Sequence, residues 1–317
     1  MKAVGGYFSL GLPQLEEFHK EALRLNTSRN AFEYVLRARG YRKVYMPYYT
    51  CEVMMSPFGK LGVAFEYYKI DEQLEPTELP TLNVDEAFLY TNYFGLKQEC
   101  VTRLAALYGN CLIVDNAQAF FAKPIKGIDT FYSPRKFFGL PDGAYLYTDC
   151  LLDSEFDRDI SYNRCSHLLK RIDLGAEAGF QDFHLDDDSL IGQPILRMSR
   201  LTERLLNSID YEDVRKRRLA NYEKLDNTLN RSNLLKFSLD ENSAPLVYPY
   251  LPVNGNLRNK LITNRIYVAR YWPNVLDWCM EGDWEYTLAT NTCYLPIDQR
   301  YGENDMERII DIILKEA

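Results

Sequence analysis

Several markers of common protein classes are missing from this 317-residue chain. It has only three histidines, His19, His167 and His184, and none stands in H-E-x-x-H or a comparable ligand spacing. That pattern speaks against a metal site. The seven cysteines are odd in number and include no C-x-x-C, so neither a zinc knuckle nor a disulfide framework is indicated. Buried thiols in a reducing cytoplasm are the expectation. Positive charge is short: Lys+Arg is 37 against Asp+Glu 45, a net charge of −8. This argues against a nucleic-acid binder, which would usually show a basic face. No apolar run reaches about 18 residues, and no basic amphipathic helix occurs, so no membrane partner is expected. The first twenty residues lack the apolar stretch of a secretory signal. Neither a P-loop nor G-x-G-x-x-G is present, so a nucleotide cradle of those kinds is not supported.

What remains is an ordinary globular composition with 24 tyrosines, long enough at about 150 residues per domain for two domains and a large core. The first half alternates short apolar runs with helical patterns. Asn26-Thr27-Ser28 offers an N-cap to a helix carrying Ala31, Phe32, Val35 and Leu36, which Gly40 closes. Lys43–Pro47, Gly62–Tyr68, Phe88–Tyr90, Leu112–Val114, Thr130–Tyr132 and Ala144–Tyr147 read as strands, and Gln98–Tyr108 as an amphipathic helix. Strands alternating with helices predict a mostly parallel sheet covered on both faces. Beyond about residue 150 the pattern changes. Residues 153–191 are polar and irregular, with the acidic run Asp186-Asp187-Asp188. A long helical stretch runs from Arg197 to Leu229. Short strands at Leu246–Tyr250 and Ile266–Ala269 and a helix over Asp305–Lys315 follow. The expected division is a large domain over residues 1–200 and a smaller C-terminal α/β domain over 201–317.

In a parallel α/β sheet, ligands bind at the carboxyl ends of the strands, and three segments there carry chemistry. Asp115 with Gln118, in LIVDNAQAFF, can hold a cationic ring nitrogen or cap a helix. Ser133-Pro134-Arg135-Lys136 places a lysine beyond an apolar strand and beside an arginine, where desolvation and like charge favour the reactive neutral amine. A solvated basic turn fits the same residues. Ser-x-x-Lys also occurs in serine acylases, but their Ser-Asp-Asn and Lys-Thr-Gly elements are absent. Thr27-Ser28-Arg29-Asn30 at a helix start suits an anion or plain capping. The combination is more specific than its parts. Pyridoxal 5'-phosphate needs a lysine, an acid for the ring nitrogen, a partner for the ring hydroxyl and an anion cradle.

Over most of its length the chain resembles the DegT family of pyridoxal-phosphate enzymes, the nucleotide-sugar aminotransferases of fold type I. The carriers are the block from Leu25 to Asp71, VDNAQAFF, FYSPRKFFGLPDGAYLY, ILRMSRLT and LPIDQRYGENDMERIIDII. The resemblance implies a three-layer α/β/α large domain. It makes Lys136 the Schiff-base lysine, Asp115 the partner of the pyridine nitrogen and Gln118 the neighbour of the ring hydroxyl. Ser133 and the Ser28-Arg29-Asn30 turn would bind phosphate. Arg135 and Arg197 would contact substrate or the partner subunit of a homodimer with shared active sites. The implied substrates are an amino-acid donor and a nucleotide-sugar acceptor. Some positions depart from the family. Two residues separate Ser133 from Lys136 instead of four. Pro141-Asp142-Gly143-Ala144 replaces Gly-Glu-Gly-Gly, and Ile195 replaces an Asn. Cys51 stands where an aromatic ring commonly stacks on the cofactor, which leaves Tyr49 or Tyr93 for that role. A dehydratase-like reaction and a non-catalytic module for a sugar nucleotide or partner protein are the alternatives.

Overall fold

The computed structural model describes residues 4–239, 243–253 and 257–315. The first part runs β1 (Leu23–Leu25), α1 (Ser28–Arg39), β2 (Lys43–Pro47), α2 (Ser56–Leu61), β3 (Ala64–Tyr68), β4 (Glu86–Thr91), α3 (Gln98–Tyr108), β5 (Leu112–Asn116), β6 (Asp129–Tyr132) and β7 (Ala144–Tyr147). Among the described residues these strands form a seven-stranded sheet in the order β1-β7-β6-β5-β4-β2-β3. Strands β2 to β6 pair in parallel, and β7 runs against both of its neighbours. Strand β1, antiparallel to β7, therefore points the same way as β2 to β6.

The alternation along each strand divides the core into two layers. Ala87, Leu89, Ile113, Phe131 and Leu146 pack with Phe32, Val35 and Leu36 of α1. Phe88, Tyr90, Leu112, Val114 and Tyr132 face the other way, onto Cys100, Val101 and Leu104 of α3. Both faces are covered, as a parallel sheet requires. Helix α1 begins where the Thr27 side chain accepts the Asn30 N–H at 3.1 Å, and it ends at Gly40, whose φ of 69° is left-handed.

The rest of the chain forms α4 (Ser166–Leu174), α5 (Phe180–Asp188), α6 (Arg200–Leu206), α7 (Tyr211–Leu229), β8 (Val247–Tyr250), α8 (Leu257–Thr263), α9 (Val275–Trp278), α10 (Trp284–Asn291), β9 (Cys293–Pro296) and α11 (Glu303–Leu314). Strands β8 and β9 pair antiparallel. A further core joins Tyr222, Leu225 and Leu229 of α7 to Tyr248, Leu295, Ile309 and Ile313. The start of α7 instead sends Tyr211 and Val214 into the layer beneath α3. Helix α7 thus spans both parts of the molecule. No helix among the described residues is long and apolar enough to cross a membrane.

Three sequence expectations are corrected here. The stretch from Arg197 to Leu229 is two helices, because Asp210 leaves the helical conformation and caps α7 by accepting the Asp213 N–H at 3.0 Å. Ile266–Ala269 is not a strand; it makes one bridge, from Ala269 to Tyr294. Residues 153–191 are not irregular throughout. They hold α4 and α5, joined by Lys170–Asp182 and His167–Asp186 pairs, each at 2.7 Å.

The turn after the lysine segment is fastened from below. Buried Asp142 accepts the Ser199 N–H at 2.8 Å, the Ser199 hydroxyl at 2.7 Å and the Thr202 hydroxyl. Next to it, Gly143 has a φ of +120°, and a Cβ there would lie 3.0 Å from the Thr202 methyl. Asp142→Ala should cost about 3 kcal/mol, because it strands buried donors. Urea unfolding should show this as a lower midpoint at unchanged slope. Asp142→Asn, which keeps an acceptor, should cost less.

Candidate active site

Since β1, β2, β4, β5 and β6 run the same way, their carboxyl ends share one edge. The segments leaving that edge carry Ser28-Arg29-Asn30, Tyr49 to Cys51, Tyr93, Asp115 to Gln118 and Ser133 to Lys136. Asp115 lies within the ladder, opposite Thr91 of β4 and Phe131 of β6. It is buried, and its carboxylate accepts the Ala117 N–H at 2.8 Å. Burial pushes the carboxyl above its ordinary pKa, while the positive charge of Lys136 pulls it back down.

Lys136 ends the short turn Pro134–Lys136, in which its own N–H meets the Ser133 carbonyl at 3.3 Å. Its side chain is exposed, so the desolvation anticipated for it does not occur. The ammonium makes no hydrogen bond or ion pair among the described residues. Gln118 is buried. Its carbonyl oxygen accepts the Phe94 N–H at 3.2 Å, and its Nε2 is buried without a partner. Ser133, directly after β6, is buried.

Arg29, at the start of α1, and Arg135, before the lysine, form a second cluster. Each has a buried Nε without a partner. Arg135 pairs with Asp187 of α5 at 2.9 Å, and the charges of Asp187 and Arg135 both act on Arg29. Burial is the main influence on Arg29 and lowers its pKa. The acidic run, which carried no role in the sequence, thus places a carboxylate beside two arginines. Ser28 is half-buried at the same helix start.

Three other expected site residues at this edge are engaged within the fold. The Asn30 amide donates to Asn26 Oδ1 at 2.9 Å and to the Pro194 carbonyl at 2.7 Å, so both its protons hold the chain together. The Tyr49 and Tyr93 rings are wholly enclosed. Tyr49 contacts the Tyr294 hydroxyl and packs edge-on against Trp272, and Tyr93 donates to the Tyr49 carbonyl at 3.0 Å. Neither ring presents an open face for stacking. Half-buried Cys51 is the residue in electrostatic reach of Lys136 and Asp115, and burial raises its thiol pKa. Arg197 is exposed on a segment bridged to Leu25 and Arg158. No group of three His, Cys, Asp or Glu among the described residues could hold a metal.

No family model and no curated protein sequence matches the chain. Solved structures do. A DegT DnrJ EryC1 StrS aminotransferase from Brucella abortus superposes with a TM-score of 0.61 at 14% identity, over 93% of this chain and 86% of that one. DesV from S. venezuelae, in complex with a ketimine intermediate, gives 0.64 at 16% identity, over 93% and 84%. The sugar aminotransferase CalS13 from Micromonospora echinospora gives 0.61 at 15% identity, over 93% and 87%. Across nearly its whole length the chain shares the fold of these aminotransferases, with the three α/β/α layers in its first part.

The buried carboxyl carries a stability signature. Its pKa is raised in the fold, so the unfolded chain ionises first, and stability falls as pH rises through the unfolded value of about 4. Asp115→Asn removes that cost and keeps the bond from Ala117. The ligand-free variant should melt above wild type at neutral pH, with the gap opening as pH rises above about 4. An equal or lower midpoint at neutral pH would contradict the assigned cause.

Proposed function

We propose that this protein is a pyridoxal-phosphate-dependent aminotransferase. It moves an amino group from an amino acid such as glutamate to a nucleotide-linked keto-sugar, in polysaccharide or cell-surface sugar biosynthesis. The observation that carries the reading is the lysine at the end of β6, set within electrostatic reach of a carboxyl buried at the end of β5, on the fold of sugar aminotransferases.

The residues present fit the cofactor. The unpartnered Gln118 Nε2 is a ready donor to a ring hydroxyl. Asp115 is a carboxylate in want of a cation, which a protonated ring nitrogen provides. The start of α1 with Ser28 and Arg29, together with Ser133, offers donors to a phosphate. When bound, pyridoxal phosphate supplies an aldehyde that an amine can hold and a ring that takes up electrons. Asp115 keeps the proton on the ring nitrogen. Lys136 anchors the group and then, as a general base, carries a proton to and from the substrate carbon. Its exposure gives it room to do both. Arg135, and Arg197 of the same or a partner subunit, suit the diphosphate of a nucleotide sugar.

A homodimer belongs to this reading. Leu169, Ile172 and Leu174 of α4 and Phe180, Phe183 and Leu185 of α5 are all exposed in the single chain. An apolar patch of that extent favours a covering surface. The reading also keeps the cytoplasm as its compartment and residues 1–200 and 201–317 as its two domains.

The test is visible absorbance after incubation with pyridoxal phosphate. The protein should turn yellow and bleach on addition of glutamate. Lys136→Ala should remain folded, lose the yellow band and lose transamination by at least about a thousandfold. A variant that transaminates at the wild-type rate would remove Lys136 from the role.

A further inference from the structure

Arg218 of α7 is 1% exposed, the most deeply buried guanidinium among the described residues. No carboxylate lies within ion-pair distance of it among those residues; the nearby Asp298 pairs with Arg300 at 2.6 Å. Burial lowers its pKa to about 10. An unpaired buried cation is costly, and an apolar side chain of similar shape would avoid that cost. Its bonds are therefore informative. Nη1 donates to the carbonyls of Pro245 and Leu246, each at 3.1 Å, and Nε to Gln299 Oε1 at 3.1 Å. The guanidinium also lies 4.6 Å from the centre of the Phe137 ring.

Two short paths run from this hub to the candidate site. On the first, Gln299 Nε2 donates to the Phe137 carbonyl at 2.9 Å, so Arg218 and Gln299 hold the residue that follows Lys136 by its ring and its backbone. On the second, the Leu246 N–H donates to the Phe94 carbonyl at 2.9 Å, and the Phe94 N–H donates to Gln118 at 3.2 Å. Phe94 has a φ of +57°, a conformation that a bulky residue keeps only where its surroundings fix it.

We propose that Arg218 is a positioning residue, which sets the Lys136 turn through Phe137 and Gln299 and the Gln118 side chain through Leu246 and Phe94. The C-terminal part of the chain thereby governs the two residues that would flank the cofactor. The chemical meaning of this inference rests on the pyridoxal-phosphate reading. Its geometry does not.

Amide hydrogen exchange on the ligand-free protein tests the geometry. In Arg218→Met, the amides of Phe137, Phe138 and Phe94 should exchange roughly tenfold faster than in wild type, with the amides of α1 unchanged. Arg218→Lys, which cannot reach all three acceptors with one planar fork, should recover only part of the protection. If Arg218→Met does not fold, Gln299→Leu serves: Phe137 and Phe138 should speed up while Phe94 does not. Unchanged exchange at Phe137 in a folded variant overturns the inference. The chemical consequence is read from the pH midpoint of the yellow band, which Arg218→Met should shift and a merely structural role would leave alone. An unshifted midpoint overturns the positioning role. No band in wild type, with accelerated exchange in the variant, sinks the cofactor reading and leaves the clamp standing.

Discussion

Asp115 sits in the middle of a sheet whose two faces are both covered, and an ionised carboxyl there is stabilised mainly by what is brought to it. Its backbone is committed to the ladder between β4 and β6. As the next-to-last residue of β5, it stands off the sheet close to the end where the parallel strands stop. There it takes a single backbone donor and the field of Lys136. The remaining site groups follow from the same strand direction. Each leaves a strand at its carboxyl end, so segments distant in sequence meet without any long excursion of the chain.

The edge alone does not set the angle at which the lysine is presented. The lysine end of that three-residue turn is exposed, while Pro134 at its start is buried. The turn's support comes from the far end of the chain, where α7 and the segment after β9 send a buried arginine and a glutamine to Phe137. On the other side, the Asp142 network ties the following turn to the start of α6. The lysine thus stands between two anchored segments. Asp187, reaching from α5 to Arg135, adds an acid at the mouth of the site, where an incoming anion would have to compete with it.

Much of this architecture was readable from the residues. Lys43–Pro47, Ala144–Tyr147 and Gln98–Tyr108 appear with the anticipated bounds, because short β-branched and aromatic runs and a clear apolar stripe leave few alternatives. Helices α4 and α5 were hidden because none of their residues is buried, so no apolar stripe faces the core of the single chain. Tyr49 and Tyr93 show the limit of reading roles from residue type. A tyrosine after a strand looks available, but which way its ring turns depends on Trp272 and Tyr294, more than two hundred residues away for Tyr49. Arg218 lies in an arginine-rich stretch beside Arg215 and Arg217, and the residue pattern gives it no distinct role. Only the packing of α7 across both parts of the molecule shows that it points inward.

The most direct test of the central claim is borohydride reduction of the protein mixed with pyridoxal phosphate, followed by digestion and mass spectrometry of the peptides. The account predicts a single stoichiometric pyridoxyl label on the peptide containing Lys136. A label spread over surface lysines, or a label on another residue with Lys136 unmodified in the folded protein, would contradict it.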